Sequence, residues 1–206
     1  MAGLYVHIPF CARACTYCDF HFTTRLGDRK AMVEALIAEL RSALPAWSGK
    51  TFTTLYFGGG TPSVLAPAEL SAIATAAMEG ADWALEEWTV EANPEDLDGA
   101  TLDGLKAAGI DRLSIGVQSF QPEVLDWMNR LHGAAGAQEA VDRAADHRER
   151  LRGRPYARRV APRTRCRSRP ATLDRGVVLA GGLHHLPRDP PALLRRHGLR
   201  GRRRRA

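Results

Sequence analysis

Leu4-Tyr-Val-His-Ile8 runs through Pro9 and Phe10 into Cys11-Ala-Arg-Ala-Cys15-Thr-Tyr-Cys18 near the start of the chain. The apolar, partly β-branched run reads as a short buried strand. Proline then interrupts it, and three thiols follow on a loop with C-x3-C-x2-C spacing. Three soft thiolates on one short loop can take three corners of an iron-sulfur cube and leave its fourth iron open to a non-protein ligand. Zinc is the competing reading: a structural zinc site closes with four protein ligands, and His21 could supply the fourth. A disulfide framework fits poorly, because three cysteines fall within eight residues and the fourth, Cys166, lies far away.

Outward from this loop the sequence alternates strand-like and helix-like stretches, the pattern of an α/β fold on a parallel sheet. Asp28 stands where a cap belongs, ahead of a helix to about Leu44 with Met32, Leu36, Ile37 and Leu40 at helical spacing and Pro45 as its stop. Thr53 to Phe57 reads as the second strand and enters Gly58-Gly59-Gly60. A helix from Pro67 to Met78 follows, with proline in the first turn, where its missing N–H costs nothing. Trp88 to Glu91 is the third strand, Asp98 to Ala108 the third helix, closed by Gly109, and Arg112 to Gly116 the fourth strand. Helical stretches at Pro122 to Asn129 and Ala134 to Asp146 complete the pattern. About four βα units result, where a complete β/α barrel has about six to eight. Loops after the strands lie at the carboxyl edge of such a sheet, where ligands bind. Four strands alone leave a parallel edge unpaired.

Polar residues cluster at those strand ends. Gly58-Gly59-Gly60-Thr61-Pro62 permits close approach of backbone to a ligand, and it has neither the Walker lysine nor the spacing of a dinucleotide fingerprint. Glu91 ends the third strand, a position equally suited to a solvated carboxylate. Gln118 follows the fourth strand. Arg130, in Met128-Asn-Arg-Leu-His132, offers either a guanidinium fork for an anion or a surface residue at a helix end. His7 lies on the first strand, on a face the spacing leaves open.

Tyr5-Val-His-Ile-Pro-Phe-Cys11 through Cys18-Asp19-Phe20, with Gly58 to Pro62, Glu91 to Pro94 and Leu113 to Phe120, resembles the radical S-adenosylmethionine (SAM) family. The branch is that of oxygen-independent coproporphyrinogen III oxidase and the haem chaperone HemW. The resemblance covers residues 3 to about 146. The oxidase type has a further cysteine two residues after the third ligand; here that position is Phe20, and the Cys-Asp-Phe ending is similar to the HemW type. The resemblance implies an incomplete (β/α)6 partial TIM barrel. It implies that Cys11, Cys15 and Cys18 ligate three irons of a 4Fe-4S cluster while SAM chelates the fourth, so that an electron can cleave SAM to methionine and a 5'-deoxyadenosyl radical. It further implies SAM contacts from Tyr5, Tyr17, Gly59, Gly60, Thr61, Glu91, Gln118 and Arg130, with the glycine turn at the ammonium, Tyr17 near the adenine and Arg130 on the carboxylate. Tyr5 equally suits core packing, and Tyr17 equally suits apolar cover of the cluster. A branched side chain at Gly60 is then expected to displace SAM and spare the cluster. The family's acidic contact on its fifth strand has no counterpart, since neither Asp146 nor Asp174 aligns with it. Intact relatives bind haem or porphyrin and take electrons from a donor protein, and no catalytic side chain is assigned; enzyme and chaperone both stay open.

Charge divides the chain. Residues 1–146 carry 10 Lys+Arg against 20 Asp+Glu, and residues 147–206 carry 19 against 3, so the overall +6 averages two unlike parts. The last 60 residues contain no Lys, Ile, Phe, Trp, Met, Asn or Gln, too little apolar material to pack a core. A nucleic-acid arm mixes Lys with Arg and supplies aromatics for stacking, so a nucleic-acid partner is disfavoured; a zinc-stabilised module with a basic tail is the alternative from another class. The missing set is biased to residue types with AT-rich codons, as in a GC-rich gene read out of frame. Codons for Arg148 to Arg154 exist that, read one nucleotide later, give Gly-Asn-Val-Ser-Val-Asp-Val, a buried β-strand. The expected organisation is the N-terminal part of a radical SAM core at 1–146 and a disordered, out-of-frame Arg-rich tail at 147–206, which would leave the protein truncated and non-functional. No stretch approaches a membrane span and the N-terminus lacks a signal-peptide pattern, so the cytoplasm is the expected compartment.

Overall fold

Alternation of apolar and polar residues along successive strands builds one parallel sheet; the computed structural model describes residues 2–149 and 177–179. Its strands are β1 (Ala2–Ile8), β2 (Thr51–Gly59), β3 (Asp82–Ala92), β4 (Arg112–Ile115) and β5 (Val177–Leu179), in that spatial order. Helix α1 (Arg29–Ala43) connects β1 to β2, α2 (Pro67–Glu79) connects β2 to β3, and α3 (Gly99–Ala107) connects β3 to β4. Two further helices, α4 (Pro122–Trp127) and α5 (Ala134–Glu149), follow β4.

The register sorts the sheet into two unlike faces. Val6 lies opposite Phe57, Leu55 opposite Trp88 and Val90 opposite Leu113. Val6, Ile8, Leu55, Phe57, Trp88, Val90 and Ile115 are buried, and pack in one core with Leu70, Ile73, Leu102 and Leu105 of α2 and α3. The intervening residues, among them Tyr5, His7, Tyr56, Thr89, Glu91, Arg112 and Ser114, fall on the opposite face because side chains alternate along a strand. That face is polar and internally bonded: Arg112 Nη1 donates to Glu87 Oε1 at 3.0 Å and to Thr89 Oγ1 at 3.1 Å.

The expected elements are present, with changes at their ends. Asp98 caps α3, its carboxylate accepting from the Thr101 N–H at 2.7 Å. Asp28 makes no such bond; a 3-10 turn over Leu26–Asp28 leads into α1 instead. Strands β2 and β3 run longer than the apolar pattern indicates, because main-chain pairing continues through exposed Thr51 and Asp82. Helix α5 continues to Glu149, past the expected boundary at 146.

One more short strand lies at the far edge: Val177–Leu179, within the Arg-rich tail, pair with β4, Leu113 opposite Val177 and Ile115 opposite Leu179. A Val-Val-Leu triplet has high strand propensity, and β4 otherwise presents an open row of backbone donors and acceptors. The rest of the Arg-rich tail, with Cys166 and Asp174, lies outside the described residues. Among the described residues no helix is long and apolar enough to cross a membrane.

Candidate functional site

The cysteine loop leaves β1 at the carboxyl edge of the sheet and is tied down at three places. Its two ends meet, the Cys11 N–H donating to Thr23 O at 3.0 Å and the Thr23 N–H to Pro9 O at 2.7 Å. The turn after β2 holds its start, with the Gly60 N–H on Ile8 O at 2.9 Å and the Thr61 N–H on Phe10 O at 2.6 Å. The end of α4 holds its middle. Thr16 donates through its hydroxyl to Trp127 O at 2.7 Å and through its N–H to Met128 O at 3.3 Å, and Asn129 Nδ2 donates to Ala14 O at 2.8 Å. Cys11, Cys15 and Cys18 are all free thiols of intermediate burial. Among the described residues no group of three or more His, Cys, Asp or Glu side chains is placed to hold a metal ion, and this holds for the three cysteines as for His21.

Two of the three sulfurs receive side-chain hydrogen bonds, and the donors are joined to each other. Thr61 Oγ1 donates to Cys11 Sγ at 3.5 Å. Arg130 Nη1 donates to Cys15 Sγ at 3.3 Å. Asn93 lies between them, its Nδ2 donating to Thr61 Oγ1 at 3.0 Å and its Oδ1 accepting from Arg130 Nη2 at 2.6 Å. Arg130 Nη2 also donates to Gly116 O at 2.7 Å, and Arg130 Nε is buried without a partner. Burial pushes the Cys11 thiol above its ordinary pKa, while the Thr61 hydrogen bond and the Arg130 charge act the other way. Tyr17, between the second and third cysteines, is pushed up to about 12 by burial, against the pull of Arg130 and with Cys15 adding to the rise.

Glu91 is half-buried and held through both carboxylate oxygens. Its Oε1 accepts from the Tyr56 hydroxyl at 2.7 Å and its Oε2 from the Gly59 N–H at 3.1 Å. Tyr56 is raised by burial and by its bond to Glu91, and Tyr5 stacks on it at 5.8 Å between ring centroids. Tyr5 itself is 55 % exposed, so core packing is not its role.

The glycines of the turn also make room for other parts of the protein. A Cβ on Gly60 would lie 2.6 Å from the Phe10 carbonyl oxygen and 2.9 Å from the Phe10 nitrogen. Gly59 has φ +114°, and a Cβ there would strike the His7 ring at 2.5 Å. His7 therefore packs beneath the turn, with its Nε2 3.1 Å from His21 O. The missing side chains admit neighbouring parts of the protein, and the N–H groups of Gly59 and Gly60 bond Glu91 and Ile8. A branched residue at Gly60 would collide with the backbone immediately before Cys11, which argues against its sparing the cysteine loop.

Gln118 completes the edge, in a left-handed conformation at φ +64°. A Cβ on Gly116 would meet Asn93 Oδ1, Gln118 Nε2 and Arg130 Nη2 within 3.5 Å, which places these three side chains together. Behind them a second polar layer supports the site: Ser63 donates to Asp96 Oδ2 at 2.6 Å, and buried His132 lies 3.0 Å from both Glu95 Oε2 and Val117 O. Asn93, Tyr56, Ser63 and this His132–Glu95 pair were not singled out from the sequence. Only Asn93 carried a local signal, as a polar residue held extended ahead of Pro94 (φ −97°, ψ 152°) at the end of β3.

Known proteins are similar to this chain in sequence and in fold. The family described as the radical SAM superfamily matches residues 5–151. "Heme chaperone HemW" of Lactococcus lactis is 40% identical over 141 residues, covering 68% of this chain and 36% of the relative. "Radical S-adenosyl methionine domain-containing protein 1, mitochondrial" of Bos taurus is 38% identical over 148 residues, covering 69% and 33%. The solved structure of coproporphyrinogen III oxidase (HemN) from Escherichia coli superposes with a TM-score of 0.64 at 32% identity, covering 72% of this chain and 34% of that one. The chain thus spans about a third of the length of these relatives. From a family match over most of the chain, and a parallel sheet whose carboxyl edge carries the cysteine loop, it follows that the chain belongs to the radical SAM superfamily.

Proposed function

We propose that the chain is the N-terminal part of a HemW-like radical SAM protein, with Cys11, Cys15 and Cys18 as the protein ligands of a 4Fe-4S cluster. Membership of the superfamily implies that cluster and SAM. One observation carries the reading: three free thiols stand on a triply anchored loop, and donors from Thr61 and Arg130 already point at two of them. Such donors are what a negatively charged cluster-thiolate assembly requires. The buried Arg130 Nε, which lacks a partner, suits an anionic ligand such as the SAM carboxylate. Bound together, cluster and SAM supply one-electron reductive chemistry at the sulfonium. The chain's own residues hold and orient. Cys11, Cys15 and Cys18 bind iron, Arg130 and Gln118 face the carboxylate side, and Glu91 keeps the Gly59 turn in shape while Thr61 closes it. Tyr5 and Tyr17 serve as SAM contacts, Tyr17 on the adenine side, and Tyr17 stays a neutral phenol at physiological pH.

Haem or a porphyrin is the further ligand in this reading, an electron-donor protein the partner, and the cytoplasm the compartment. Phe20 supports the chaperone over the oxidase, because that position carries no thiol. The composition of residues 147–206 supports an out-of-frame tail, and so a truncated protein whose single test is resequencing around codons 145 to 150. Anaerobic reconstitution with iron and sulfide should give a brown protein of about four irons per chain, and Cys15→Ala should abolish the absorbance. Stoichiometric zinc with no iron-sulfur absorbance would refute the cluster. Haem binding without turnover then distinguishes the chaperone, and formation of protoporphyrinogen from coproporphyrinogen the oxidase.

A further inference from the structure

We infer that Asn93 is a positioning residue that aims hydrogen-bond donors at two cluster-ligand sulfurs and thereby raises the reduction potential of the cluster. The inference rests on the cluster reading above and concerns a residue outside the cysteine loop and its expected SAM contacts. An unbroken path of hydrogen bonds runs Cys11, Thr61, Asn93, Arg130, Cys15.

The direction of each bond follows from donor chemistry. A guanidinium has only donors, so the Asn93 atom 2.6 Å from Arg130 Nη2 must be the amide oxygen. The amide nitrogen therefore faces Thr61, and at 3.0 Å it donates to the hydroxyl oxygen. Thr61 has a single hydroxyl proton. With its oxygen accepting from Asn93, that proton is left for Cys11 Sγ, 3.5 Å away. On the other side, Asn93 and Gly116 O together fix Arg130 Nη2, which leaves Nη1 turned onto Cys15 Sγ. An aspartate could not donate to Thr61, and an aliphatic residue could do neither job.

Donors to ligand sulfur stabilise the more negative, reduced state of a cluster and so raise its potential. Reduction adds one electron from an external donor and neither forms nor breaks a bond to these residues. Asn93 thus makes the cluster easier to reduce through two sulfurs it does not touch. Thr61 is 4 % exposed, so water does not readily replace the missing donor when Asn93 is removed.

The test uses the full chain, reconstituted anaerobically with iron and sulfide and titrated by spectroelectrochemistry. Asn93→Leu is nearly isosteric and adds no charge. Wild type, Asn93→Leu, Thr61→Val and the double variant should load equal iron, and both single variants should have a more negative midpoint potential. The double variant should match Asn93→Leu alone, since the Thr61 contribution is already lost there, and Thr61→Ser should keep the wild-type potential. Additive shifts in the double variant, or a wild-type potential in iron-loaded Asn93→Leu, would overturn the inference. Loss of iron in Asn93→Leu while Thr61→Val still loads would overturn it too, by making Asn93 a structural support. Failure of the wild-type chain to load iron would instead defeat the cluster reading on which it rests.

Discussion

At the scale of single residues, Gly60 shows how a motif can be legible while its cause is not. Three successive glycines are plain in the sequence, but the atoms they make room for are not: the His7 ring of β1, the Phe10 backbone just beyond it, and the Tyr56 and Glu91 side chains. Gly60→Ala should therefore destabilise the fold by about 2 kcal/mol, the order of an overpacked core site. It should also lower iron loading, read as thermal midpoint and iron per chain; a normal iron content would show that the Phe10 backbone yields. Asp96 gives a signed dependence on pH. Burial raises its pKa against the Ser63 hydrogen bond, so the folded state binds its proton more readily than the unfolded state does. Its contribution to stability is then fully present below the unfolded pKa and is lost as pH rises through the folded value. Denaturant unfolding of Asp96→Asn and wild type should show the difference moving in favour of wild type as pH falls from neutral. A difference independent of pH would remove Asp96 from that account.

At the scale of elements, the cysteine loop depends on the end of α4, more than a hundred positions away in sequence. Asn129 sits there at φ +57° with its amide on Ala14 O. Left-handed backbone is tolerated by asparagine and glycine and strains alanine. Asn129→Ala should cost about 1 to 2 kcal/mol through strain and a lost hydrogen bond. It should also speed loss of iron to a chelator, whereas Asn129→Gly, losing the bond and keeping the conformation, should fall between it and wild type. Equal chelation rates for all three would mean that Thr16 alone secures the contact. Helices and strands themselves were largely readable, because burial on one face imposes a period of 3.6 or 2. Their ends were not: β3 begins among mostly exposed residues, where Trp83 stacks on Phe52 and donates to Ala77 O, contacts that leave no period in the sequence.

At the scale of the whole molecule, β5 closes the edge of β4 with residues drawn from a segment whose composition argued against any order. Deleting residues 150–206 should expose that edge and promote self-association, measured by light scattering. The anchors of the cysteine loop all lie before residue 130, so iron loading should persist in the shortened chain. A truncated protein that stays monomeric would show that the edge is harmless or otherwise covered. The sequence by itself determined the α/β class, the thiol spacing, the glycine turn and the polar strand ends, because each is a local pattern of spacing or residue type. Only the tertiary structure decided that Asn93 links Thr61 to Arg130, that Tyr56 holds Glu91 and that α4 grips the loop. Those partners are 32, 37, 35 and 111 positions apart, and strand register and packing bring them together without leaving any period in the chain.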